Sequence, residues 1–208
     1  MRRGTILAIA AVVLVLLLGV SGLQPYDRLT WVLEVFPIVV VLPILFLTFR
    51  RFPLTTLLYA LIFVHAVVLM VGGHYSYARV PLGFAIARFF GLHRNPYDKI
   101  GHFAQGFVPA IAAREVLVRG RYIRTPRMLA FVVLSIVLAI SASYELFEWA
   151  SAVALGQGAT DFLGTQGDPW DTQSDMFFAL LGGGAALIGV AGYHDRQISA
   201  LQGERAGA

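Results

Sequence analysis

Six ionisable residues fall into three close pairs. Asp98 and His102 are four residues apart, Asp171 and Asp175 are four apart, and Glu145 and Glu148 are three apart. On a helix each spacing puts both side chains on one face. Carboxylates combined with an imidazole suit a divalent cation, Mg²⁺, Mn²⁺ or Zn²⁺, so all six are candidate metal ligands. The same groups can take a proton from water or a hydroxyl, and His102, Glu148 and Asp175 are the candidates for that catalytic role. Arg79, Arg88, Lys99 and His74 stand near them in sequence and are the candidates for holding a phosphate-bearing substrate.

The segments that carry these pairs belong in a membrane. The chain has 208 residues, 58% hydrophobic and 13% charged, with mean hydropathy +0.73. A soluble domain has roughly 25% charged residues. Apolar runs near the length of about 20 residues needed to cross a bilayer lie at about 5–23, 35–49, 54–73, 100–118, 128–154 and 176–193. The second is short and holds Pro37 and Pro43, which membrane helices tolerate. The expected fold is an all-α, six-span bundle in a single domain, with the first span uncleaved. The absence of Cys rules out disulfides and thiolate metal sites. Basic residues are scattered between apolar runs, so they read as topology signals rather than a nucleic-acid surface.

Loop charge gives the expected orientation. With the N-terminus in the cytoplasm, eleven of the sixteen Lys and Arg residues fall on inner segments, and the loop Arg119–Arg127 alone holds four arginines. Both termini are then cytoplasmic, and the acidic loop Gly156–Thr172 is outside. Asp98, His102, Glu145, Glu148, Asp171, Asp175 and His74 all come within about two helical turns of the outer surface. Buried ionisable groups face a bundle interior or a wet cavity, so one outward-facing pocket is expected. Glu145 or Glu148 should lie within roughly 8 Å of Asp175 or His102, near enough to share an ion.

Plainer roles compete for several of these residues. NPYDKIGH (95–102) aligns with DPWDTQSD (168–175), either as a degenerate repeat or as two similar helix starts. Asn or Asp before Pro is an N-cap signal, and acid in the first turn complements the helix dipole. Asn95, Asp98, Asp168 and Asp171 are open to that explanation, whereas His102, Asp175, Glu145 and Glu148 lie too far along their helices. Glu115 beside Arg114 reads as a surface pair at the cytoplasmic end, and His65 as a packed neutral histidine. Trp31, Trp149 and Trp170 suit interfacial positions. Val80–Leu92 mixes aromatics with Arg88 and reads as an interfacial helix.

DKIGHFAQGF, YELFEW and GTQGDPWDTQSDMFFALLGG resemble the YjdF-type family of small bacterial inner-membrane proteins, over most of the chain from His74 onward. The resemblance implies an inner-membrane, multi-pass protein and supplies no reaction. More distantly, Asp98-Lys99 through His102 resembles a helix start of the VanZ-like proteins. Signatures of zincin proteases, α/β-hydrolases and P-loop proteins are absent. Three functions remain: a metal-dependent or acid–base enzyme acting on a membrane-borne or periplasmic substrate, a proton- or cation-coupled transporter, and a non-catalytic scaffold. The inner halves of the spans look poor in polar groups, which favours the enzyme over the transporter.

Overall fold

The computed structural model describes residues 3–155 and 165–206. Arg2 and residues 156–164 of the expected acidic loop lie outside them. The described residues form eight α-helices and one short 3-10 turn, without strands. They are α1 (Arg3–Ser21), α2 (Arg28–Thr48), α3 (Thr56–Tyr75), α4 (Pro81–Phe90), α5 (Tyr97–Arg119), α6 (Pro126–Leu155), α7 (Asp171–Gly189) and α8 (Ala191–Ala206), with the turn at Tyr77–Arg79 between α3 and α4. The protein is an all-α membrane protein.

α1, α2, α3 and most of α6 are long and apolar enough to cross a bilayer, and α7 with α8 makes a fifth if that bent pair is one span. The second helix is longer than the expected 35–49 run. It starts at Arg28 because Asp27 caps it, Oδ1 accepting the Thr30 N–H at 2.7 Å. The expected run 176–193 is broken, since α7 ends at Gly189 and α8 departs at 63°. α5 covers the expected 100–118 as a 23-residue helix, about 35 Å long at 1.5 Å per residue. It is long enough to cross, yet Asp98, Lys99, His102, Arg114, Glu115 and Arg119 keep it outside the apolar class.

The helices divide into two compact units. One comprises Met1–Leu47, Phe63–Gly101 and Phe147–Pro169, and the other Thr48–Ile62, His102–Leu146 and Trp170–Ala208. In the first unit, Leu14, Val35, Ile38, Ala66, Leu69 and Met70 form the apolar core, with a smaller cluster of Tyr77, Val80 and Tyr97. In the second, Leu58, Val108, Ala110, Ile111, Val133, Val137, Ala179 and Ala186 do so.

Glycines set the helix spacing in the second unit. A Cβ at Gly106 of α5 would overlap the Ala179 carbonyl of α7, and one at Gly182 would overlap the Phe103 carbonyl. Gly183 lies against Leu134 and Val137 of α6, where an added Cβ would sit 3.2 Å from each. Small residues let membrane helices approach backbone to backbone. They fix α5 and α6 against α7, with Gly106 one turn from His102 and Gly182 about two turns from Asp175.

Candidate functional site

The second unit brings together one residue from each pair. His102 on α5, Glu145 on α6 and Asp175 on α7 are all buried. His102 Nδ1 lies 3.8 Å from Glu145 Oε1, and Nε2 lies 3.7 Å from Asp175 Oδ1. Nδ1 also lies 3.1 Å from Gln105 Oε1. An amide oxygen only accepts, so Nδ1 carries the proton. In a neutral imidazole the lone pair is then on Nε2, the nitrogen facing Asp175. The Tyr144 ring stands edge-on to His102 at 6.3 Å. Ser141, one turn before Glu145 on the same face of α6, is 1% exposed, and its Oγ has no hydrogen-bond partner among the described residues. Asp171, one turn before Asp175, is buried too. The expected approach of Glu145 to His102 is met.

Glu148 and Asp98, both buried, lie in the first unit. Buried Tyr77 is surrounded there by the charges of Glu34, Asp98 and Glu148, next to the Tyr97 ring at 5.7 Å. Burial first, and then those carboxylates, push the Tyr77 phenol well above its usual range. Its ring fills the space that side chains at Gly72 and Gly101 would need. Lys99 Nζ lies 3.6 Å from Asp98 Oδ2. Glu34, a carboxylate in the apolar run of α2, is 3% exposed.

The two aligned helix starts differ in structure. Asn95 does cap α5, its Oδ1 accepting the Tyr97 N–H at 3.0 Å, and its Nδ2 donates to the Val80 carbonyl at 2.9 Å. At the other start, α7 begins at Asp171 with Trp170 at its N-cap position, and Asp168 accepts from Arg94 at 2.5 Å. Among the candidate substrate contacts, Arg79 and Arg88 are exposed, and Arg79 lies 4.1 Å over the Tyr26 ring. His74 Nδ1 donates to the Ser21 carbonyl at 2.9 Å and so joins the ends of α1 and α3.

A family model described as "Predicted membrane protein (DUF2238)" matches residues 6–196. The chain belongs to the DUF2238 family. It is also 58% identical over 193 residues to the inner membrane protein YjdF of Escherichia coli (strain K12), which covers 93% of this chain and 92% of that one. No solved structure matches. The likeness carried by the three sequence motifs is therefore established, and the protein is a multi-pass inner-membrane protein. Neither comparison supports the more distant VanZ likeness.

This DUF2238 protein holds a second buried polar network that the sequence did not reveal. Glu115 is no surface residue: it is fully buried. Its carboxylate accepts from the Thr55 amide at 2.9 Å, the Thr55 hydroxyl at 2.7 Å, Arg119 Nη1 at 2.6 Å and His194 Nε2 at 2.9 Å. Arg114 donates to His194 Nδ1 at 3.2 Å and to Asp195 at 2.7 Å. Because the guanidinium only donates, Nδ1 accepts, and His194 is the tautomer with its proton on Nε2. Arg119 also reaches the Pro53 carbonyl at 2.7 Å and covers the Phe52 ring at 3.7 Å. None of its side chains has a buried polar atom left without a partner, so the network reads as a structural lock among α3, α5 and α8.

Proposed function

We propose that His102, through Nε2, and Asp175 hold one divalent cation at the outer side of the inner membrane, and that the loaded centre acts on a phosphate-bearing, membrane-borne substrate. The supporting observation is the gap between Nε2 and Asp175. A lone pair and a carboxylate oxygen face each other at 3.7 Å, too far for a hydrogen bond. Two ligand atoms each about 2.1 Å from one ion, at a near-tetrahedral angle, are about 3.4 Å apart. A donor set of one imidazole and one carboxylate, completed by waters, suits Zn²⁺ or Mn²⁺, and Mg²⁺ with more waters. The Nδ1–H bond to Gln105 is the kind of outer contact that orients a ligating histidine. Asp171 is close enough in sequence to join the set.

Metal analysis of the purified protein, loaded with Mn²⁺, Zn²⁺ or Mg²⁺ and desalted, tests this reading. The wild type should retain close to one equivalent of one of them. Asp175→Asn should lose it while keeping its melting temperature in detergent, since the amide keeps the shape and loses the charge. Asp168→Asn should retain it. No metal in the wild type, or full metal in Asp175→Asn, would end the proposal.

Cation- or proton-coupled transport is the second reading, and the Glu115–His194 network favours it. α5 carries buried ionisable groups near both ends, contrary to the expectation that the inner halves are poor in them. The fully buried Ala110 and Ile111 lie between them along α5, with Val133 and Val137 in the same core, and that apolar layer favours the enzyme. Orientation belongs to the proposal as well, with both termini cytoplasmic. An alkaline phosphatase fused after Arg124 should be inactive, and a green fluorescent protein fused there should fluoresce. The reverse pair of results would invert the side on which the centre opens.

A further inference from the structure

We infer that α4 lies in the plane of the membrane at one bilayer surface, its apolar flank sunk among lipid chains and its arginine among headgroups. α4 has ten residues, about 15 Å of helix, against roughly 30 Å of hydrocarbon to cross. Its ends are fixed: Pro81 opens it, and Gly91, at φ 66°, closes it in the left-handed conformation. One narrow side, Gly83 and Ala87, is buried. The fit there is tight, because a Cβ on Gly83 would strike the Asn95 side chain. The other sides are open. Leu82 is 57%, Phe89 82% and Phe90 68% exposed. Leu82, Ile86 and Phe89 follow the i, i+4, i+7 stripe of an amphipathic helix. Arg88 is exposed about 100° round the axis from Phe89.

Lipid is the occupant that the surroundings support. α4 follows α3, a membrane-spanning helix, after a five-residue link, 76–80. The same end of the first unit carries exposed Tyr26 and Tyr75, and it is tied together by the Tyr26 N–H bond to the His74 carbonyl at 2.8 Å and by Arg79 over Tyr26. Exposed aromatics at the end of a span mark the bilayer surface. Arg79 and Arg88 add cations that complement the phosphodiesters of anionic lipid. An in-plane helix with an aromatic flank and an arginine beside it has the composition of interfacial anchors.

The chain has no Cys, so one introduced thiol gives one labelled site. Nitroxides placed at Phe89→Cys and, on the arginine's own flank, Arg88→Cys would be read in the full-length protein in phosphatidylethanolamine–phosphatidylglycerol vesicles. Collision with oxygen reports lipid and collision with a water-soluble nickel chelate reports solvent. The oxygen-to-nickel ratio should be several-fold higher at residue 89 than at 88. Equal, nickel-dominated values at both sites would overturn the inference, leaving α4 in water. Shielding of residue 89 from both reagents would overturn it in favour of a second copy of this chain on that flank. Both positions are exposed, and an unchanged melting temperature in detergent would show that each labelled variant is folded.

Discussion

Glu115→Ala is expected to destabilise the protein by about 3–5 kcal/mol, the usual cost of removing one partner from a buried ion pair. The size follows from what remains behind. The Thr55 amide and hydroxyl would lose their acceptor, and Arg119 and His194 would each lose a carboxylate oxygen. Each stranded buried donor costs about 1–3 kcal/mol, more where it is charged. Thr55 is also the residue before α3, with its hydroxyl 3.3 Å from the Leu58 amide, so the start of that helix should loosen too. Glu115→Gln should cost less, because one oxygen still accepts. The measurement is the midpoint of thermal or dodecyl sulfate unfolding in detergent. An unchanged midpoint for Glu115→Ala would show that the network does not hold these helices.

That network also marks where the sequence stopped being informative. The helices themselves were readable, because a bilayer demands long apolar runs and the chain has them. So was the meeting of Glu145, His102 and Asp175, since a membrane interior leaves few places for such groups. Glu115 was misread because its partners Thr55 and His194 lie 60 and 79 residues away. Nothing in the order Arg114-Glu115 distinguishes an exposed pair from two residues bound to different neighbours. His194 went unnoticed because the apolar run hid the break at Val190, which the composition of α7 and α8 does not announce. Glu34 was passed over for a similar reason, as a lone acid within an apolar run. Asp168 has a partner that its motif does not announce, Arg94, 74 residues away in sequence.

Gly182→Val is expected to disturb the His102–Asp175 centre without touching either residue. The glycine faces the Phe103 carbonyl, and Gly106 faces that of Ala179. A backbone oxygen cannot rotate away as a side chain can, so even a methyl group must push α5 and α7 apart. Overpacking of this kind costs about 1–3 kcal/mol. Gly182→Ala should therefore lower the unfolding midpoint, and Gly182→Val more, with β-branching adding bulk beside the same carbonyl. Gly184 is the control, because a Cβ there meets nothing within 4 Å, and Gly184→Ala should leave the midpoint unchanged or slightly raised. Separating the helices by a fraction of an ångström is enough to matter to a metal, whose ligand distances tolerate only about 0.2 Å. Cation retention should thus fall in Gly182→Ala at temperatures where the protein is still folded, a loss Gly184→Ala does not share. Full retention in a destabilised Gly182→Ala would mean that α5 and α7 do not jointly position the ligands. Equal behaviour of the two alanine variants in both measurements would mean that the close approach of α5 to α7 is not what holds this unit together.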